Sequence, residues 1–120
     1  MKRDHSLYLD DIIEATGKIL EYTAGMEFED FRKDSKTVDA VIRNFEILGE
    51  AAKHVPAAIK RKHPGIPWRE MARMRDKLIH EYFGIRHDIV WKTVKERLPE
   101  LRQDITNILE SGNGSLLIKP

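Results

Sequence analysis

The sequence predicts an all-α fold, an up-and-down bundle of four to five helices. Three observations carry this expectation. Apolar residues recur every three to four positions along the whole chain, and no segment alternates with period two over a useful length. Glycine and proline gather at a few points between these stretches, above all in "HPGIP" at residues 63–67. At 120 residues the chain is long enough to bury one core, and with no cysteine it does so without disulfides.

The first helix starts near Asp4 or Ser6, and Leu9, Ile12, Ile13, Thr16, Ile19, Leu20 and Thr23 share its inner face. Gly25 stops it, and the connector "AGMEFEDFRKD" carries Phe28 and Phe31 toward the core. A second long helix begins after Asp34 or Ser35, whose side-chain oxygens can accept from the free N–H groups of a first turn. Val38, Val41, Ile42, Phe45, Leu48 and Ala52 keep the helical spacing there. Gly49 sits inside that helix, at a cost of about 1 kcal/mol relative to alanine, which points to the close approach of another helix or a ligand. Pro56 begins a short helix near residues 56–62, where its missing N–H is harmless.

Pro67 opens the third major helix, "PWREMARMRDKLIHEYF", which Gly84 closes, and Asp88 can cap the fourth. Trp91, Val94, Leu98, Leu101, Ile105 and Ile108 then hold one register straight through Pro99. This predicts a long C-terminal helix kinked near Pro99, because proline removes a hydrogen bond and crowds the carbonyl four residues back. A split into two helices, with Pro99 near the start of the second, is the alternative. The domain is read as residues 1–111, followed by a flexible tail at 112–120.

Composition narrows the function. The formal net charge is +1, from 21 basic and 20 acidic residues, which does not suit a bulk nucleic-acid binder. Contact with phosphate would need a local cluster, and "KRKHPGIPWREMARMRDK" supplies one, with seven lysines and arginines against Glu70 and Asp76. The plainer reading of each such residue is a solvated charge. No apolar run approaches the ~20 residues that cross a bilayer, the amino terminus lacks the apolar stretch of a secretory signal, and cysteine is absent. The expectation is a cytoplasmic protein without a membrane contact.

The stretch "RDKLIHEYFGI", residues 75–85, carries the chemistry. Histidine moves protons near neutral pH, arginine is always charged and its fork matches a phosphate, and tyrosine offers a hydroxyl and a stacking face. Together Arg75, His80 and Tyr82 suit cleavage of an RNA phosphodiester: the 2′-hydroxyl attacks, histidine moves its proton, and arginine stabilises the charge on phosphorus. No metal or other cofactor is expected, since the five histidines are scattered and no H-E-x-x-H is present. Arg75 and His80 lie five residues apart, roughly 140° around an ideal helix, so they do not converge within one straight rod. Either the helix loosens at His80, or a second copy of the chain completes the site, as in a symmetric homodimer. By itself the string is a weak signal, because a histidine near a helix end commonly just complements the helix dipole.

The string is accompanied by "RNFEILGEAAKHV", "GIPWREMARMRDKLIHEYFGI" and "IVWKTVKERLPEL" in that order. From about Leu7 to Leu109 the chain resembles the HepT-like family of HEPN domains. The resemblance implies an all-helical, symmetric homodimer in which the R-x-x-x-x-H-x-Y helices of both chains line an RNA-binding cleft. It implies a metal-independent ribonuclease acting as a toxin, with Arg75 and His80 catalytic. It also implies a partner, an MNT-type nucleotidyltransferase antitoxin that transfers AMP to Tyr82 and silences the enzyme. Asp76 stands where many members carry asparagine, and a carboxylate there could orient Arg75, raise the pKa of a nearby histidine or repel RNA.

Among supporting residues, Arg73, Lys77 and Arg69 are candidate phosphate contacts. Glu50, beside Gly49, either accepts from Arg75, positions RNA through water or anchors a helix–helix contact, since a buried carboxylate needs a partner. Trp68 and Trp91 are expected in the core or an interface rather than under a base. The competing function is a non-catalytic helical adaptor that binds a nucleotide or the partner nucleotidyltransferase.

Overall fold

The structure, a computed structural model, describes residues 4–81 and 84–117. All regular structure among them is helical: α1 (His5–Thr23), α2 (Phe28–Lys33), α3 (Ser35–His54), α4 (Ala57–Lys62), α5 (Trp68–His80), α6 (His87–Glu96) and α7 (Leu98–Leu117). Helix α3 packs against both α1 and α5; α7 packs on α1 and α6, and α2 lies against α3 and α6. No described helix is long and apolar enough to cross a membrane.

The caps follow the sequence. Asp4 Oδ1 accepts from Ser6 N at 2.9 Å at the start of α1. Asp34 receives Thr37 N at 3.2 Å and Thr37 Oγ1 at 2.9 Å at the start of α3. Each carboxylate thereby satisfies an N–H that the helix leaves without a carbonyl. Gly25 ends the first turn region with φ +76°, a left-handed conformation that favours glycine.

The core joins every long element. Leu9, Ile12 and Ile19 of α1 meet Val41, Phe45 and Leu48 of α3, with Val94, Leu98 and Ile105 closing the other side, all 2% exposed or less. Phe31 is fully buried, its ring 5.0 Å from that of Trp91. Trp68 is buried and donates its Nε1–H to His63 O at 3.0 Å. Both tryptophans thus serve packing, as expected.

Five boundaries differ from the sequence reading. The connector containing Phe28 and Phe31 is itself a helix, α2, whose Asp30 accepts from Glu27 N at 2.9 Å. The C-terminal helix is not one kinked rod: α6 ends at Glu96, Arg97 forms a turn, and α7 starts at Leu98 with Pro99 in its first turn. This is the split alternative, and it costs little, because proline's missing N–H falls where a helix has no carbonyl to offer it. These two changes account for seven segments among the described residues in place of four or five. Asp88 is not the cap of α6; Arg86 holds that position, and the Asp88 carboxylate receives the Arg86 guanidinium in two bonds of 3.0 and 2.8 Å. Finally, α5 stops at His80, and Glu81 leaves the helical region with φ −121° and ψ 45°; Tyr82 and Phe83, the last residues of the expected helix, lie outside the described residues. At the other end, the α7 backbone is helical through Leu117, into the stretch read as a tail.

Candidate active site

The site begins with a missing side chain. Gly49 is buried on α3, and a Cβ placed there would stand 2.2 Å from Arg75 Cβ and 2.6 Å from the Met71 carbonyl oxygen. Only glycine lets α5 lie this close to α3. That approach brings Arg75 over Glu50, the residue after Gly49. Arg75 Nε lies 3.2 Å from Glu50 Oε1, and Arg75 Nη1 donates to Asp76 Oδ1 at 2.8 Å. The Arg75 side chain is 24% exposed against 47% for each carboxylate, so the cation is the inner member of the group. Its hydrogen bond to Asp76, and then the charges of Glu50, Asp76 and Glu46, raise its already high pKa. Conversely, the bond from Arg75, with Lys53 nearby, holds the Asp76 carboxyl below the ordinary aspartate value. Lys53 Nζ reaches Asp76 Oδ1 at 3.4 Å.

Arg75 and Glu50 line a cleft of about 390 Å³ between α1, α3 and α5, shared with Tyr8, Arg43, Glu46 and His54. His54 Nδ1 lies 2.9 Å from the Glu50 carbonyl oxygen, and its ring stacks on Tyr8 with centroids 5.4 Å apart. A carbonyl oxygen only accepts, so Nδ1 carries the proton in that contact. Among the described residues no three His, Asp or Glu side chains gather as a cation cage.

The remaining motif residues sit elsewhere. His80 is the last residue of α5, exposed, and does not line the Arg75 cleft. Arg75 and His80 of one chain therefore do not share a cavity, in line with their helical phase. Tyr82 lies outside the described residues. Arg73 and Lys77 are both exposed. Arg73 lines a second, open groove together with Lys53, Lys60 and Arg69.

The Ribonuclease HepT-like family matches residues 12–108. The chain belongs to the HepT-like family. Among its relatives, "Probable ribonuclease HepT" of Thermococcus cleftensis is 60% identical over 85% of this chain and 93% of its own length. "Putative RNase MJ0127" of Methanocaldococcus jannaschii is 43% identical over 94% of this chain and 93% of its own. "Putative RNase TTE0752" of Caldanaerobacter subterraneus subsp. tengcongensis is 44% identical over 86% and 92%. No solved structure gives a significant match.

On this HepT-like chain, sequence reasoning named Arg75 and Glu50, which meet in the cleft, but not the rest of the α3 wall around Glu50. Arg43, Ile47, Glu50 and His54 follow one another at steps of four, three and four on α3. That is a helical stripe beside the apolar face, and it was readable. Tyr8 was not, because its contact with His54 depends on how α1 crosses α3.

Proposed function

We propose that this protein is a metal-independent endoribonuclease toxin that works as a homodimer and is silenced by a nucleotidyltransferase of the MNT type. In the reaction, the ribose 2′-oxygen attacks the adjacent phosphorus and the bond to the 5′-oxygen breaks. That leaves a 2′,3′-cyclic phosphate on one product and a 5′-hydroxyl on the other. His80 moves the proton, and Arg75 stabilises the charge that builds on the equatorial oxygens. Because Arg75 and His80 of one chain face different ways, the second subunit supplies the complementary group. Transfer of AMP to Tyr82 would add bulk and negative charge where an anionic substrate must enter.

The observation that carries this reading is the family match across residues 12–108, with the motif arginine held between two carboxylates and the motif histidine exposed at the helix end. Production of the protein without the nucleotidyltransferase should arrest growth and break RNA, and His80→Ala should abolish both while leaving the oligomer intact. RNA breakage that persists in His80→Ala would refute the assignment. Intact-mass measurement after co-production tests the silencing step; the added AMP should map to Tyr82.

One observation favours the adaptor reading. Carboxylates outnumber guanidiniums in the Arg75 cleft, with Asp11, Glu46 and Glu50 against Arg43 and Arg75. Such a cavity suits the donor groups of a base or a partner protein better than a run of phosphates. Purified protein that leaves RNA intact yet binds the nucleotidyltransferase would establish that role.

A further inference from the structure

The basic stretch at residues 60–77 is only partly used by the chemistry above. Its cations fall into two sets by helical phase. Arg75 turns toward α3 and Gly49. Arg69 and Arg73 lie about 120° or more away around α5, both exposed. Lys60 from α4 and Lys53 from α3 join them around one open groove of about 740 Å³. Among the described residues the single carboxylate lining that groove is Glu70, whose Oε2 already lies 3.4 Å from Arg97 Nη2. The groove therefore differs in sign from the Arg75 cleft, where acids prevail.

The groove also points somewhere. Arg69, Arg73 and His80 occur at i, i+4 and i+11, within about 40° of one another on a helix. All three are exposed. Asp76 shares this stripe, but its carboxylate is engaged by Arg75 and Lys53. From Arg73 to His80 is roughly 10 Å along the axis, within reach of neighbouring phosphates of one strand.

We infer that the groove lined by Lys53, Lys60, Arg69 and Arg73 is a backbone track for single-stranded RNA, leading the strand along α5 to His80. This rests on the ribonuclease reading and deepens it. The phosphates flanking the cut bond are held by this groove, and the enzyme works on strands long enough to fill it. Point charges that meet phosphates hold the backbone without reading sequence.

The test uses a fluorescein-labelled oligoribonucleotide of about 20 nucleotides and a dinucleoside monophosphate, whose one phosphate is at the cut bond. The double variant Arg69→Gln/Arg73→Gln should bind the long strand at least about tenfold more weakly at low salt. The slope of log affinity against log salt should flatten by about 1.4, two contacts at ~0.7 each. Its cleavage of the dinucleoside should fall far less than its cleavage of the long strand, and the double variant Arg32→Gln/Lys33→Gln on α2 should behave as the parent throughout. The parent and Arg69→Gln/Arg73→Gln proteins binding the long strand with the same slope would overturn the track. So would a parent that fails to bind it, or variants that lose only an acidic protein partner. The two readings separate cleanly. A parent that binds but never cuts, with the expected slope loss in the variant, removes the ribonuclease and keeps the track. A parent that cuts, with variants that bind and cut the long strand equally well, removes the track and keeps the ribonuclease.

Discussion

Arg75 Nε and Glu50 Oε1 stand 3.2 Å apart, both buried, at an angle that makes an ion pair and not a hydrogen bond. The guanidinium is fixed instead by its 2.8 Å bond to Asp76, so Glu50 acts on it mainly through charge. Two dry facing atoms of opposite sign are coupled more tightly than exposed ones, because little water screens them. Lys53 and Asp76, 3.4 Å apart, are the contrasting pair: the carboxylates are equally exposed, but the Lys53 side chain is 40% exposed against 24% for Arg75.

This contrast is measurable by thermal unfolding. Glu50→Gln and Arg75→Gln should each lower Tm by a few degrees at most, since each leaves a partly exposed partner without its counter-charge. The double variant should lose clearly less than the two losses together. The coupling should survive 1 M salt, whereas any loss in Lys53→Gln should fade there. Additive losses for Glu50 and Arg75 would show that their proximity carries no energy.

Gly49→Ala separates helix propensity from packing. Alanine should favour the α3 helix by about 1 kcal/mol. Its Cβ, however, would meet Arg75 Cβ at 2.2 Å and the Met71 carbonyl oxygen at 2.6 Å, and the carbonyl belongs to the α5 backbone. Helix α5 must then move away. Overpacking of this kind costs about 1–3 kcal/mol, so the net change should be destabilising and should reduce RNA cleavage as well. Calorimetry and single-turnover cleavage check it, and a variant more stable than the parent would mean the two helices separate freely.

Much of this was legible in the sequence. A glycine inside an apolar helix predicted a close approach, and the approach is that of α5. Asp4 and Asp34 declared their caps. The 100° step per residue already kept Arg75 and His80 apart within one chain. The α6–α7 break was harder to read, because a one-residue interruption at Arg97 leaves the apolar register from Trp91 to Ile108 undisturbed. The α2 helix could have been read from Glu27 and Asp30, a capping pair at three-residue spacing. The pairing of Arg75 with Glu50, and the division of one basic stretch between a groove and a cleft, required knowing how the helices cross. No local pattern encodes that.

Asp76 should leave an acid signature. Its carboxyl is held below the ordinary aspartate value, first by the hydrogen bond from Arg75 and then by Lys53. A group with a depressed pKa in the folded state contributes stability above its unfolded pKa, and loses it as pH falls through the folded value. Asp76→Asn should therefore be less stable than the parent at pH 7, with the difference closing below about pH 4. The raised pKa of Arg75 adds no slope in this range, since arginine stays protonated throughout. Urea titrations of both proteins from pH 7 to pH 3 measure the gap; a constant gap would mean that Asp76 acts by shape rather than charge.

His80 and Arg75 should fail differently. His80→Ala removes the group proposed to move the proton, which typically lowers rates by 10²–10⁴-fold, while leaving RNA affinity near that of the parent. Arg75→Ala removes the proposed charge stabilisation of the transition state, typically worth 10²–10³-fold in kcat, and should leave the pH profile in place. Because Arg75 and His80 of one chain do not share a cavity, mixing inactive Arg75→Ala subunits with inactive His80→Ala subunits offers a decisive measurement. A site built across two chains regains part of the parent activity in the mixed dimer, since one of its two clefts receives both intact groups. A site built within one chain regains none. Single-turnover cleavage by co-refolded variants, compared with each variant alone, distinguishes the two.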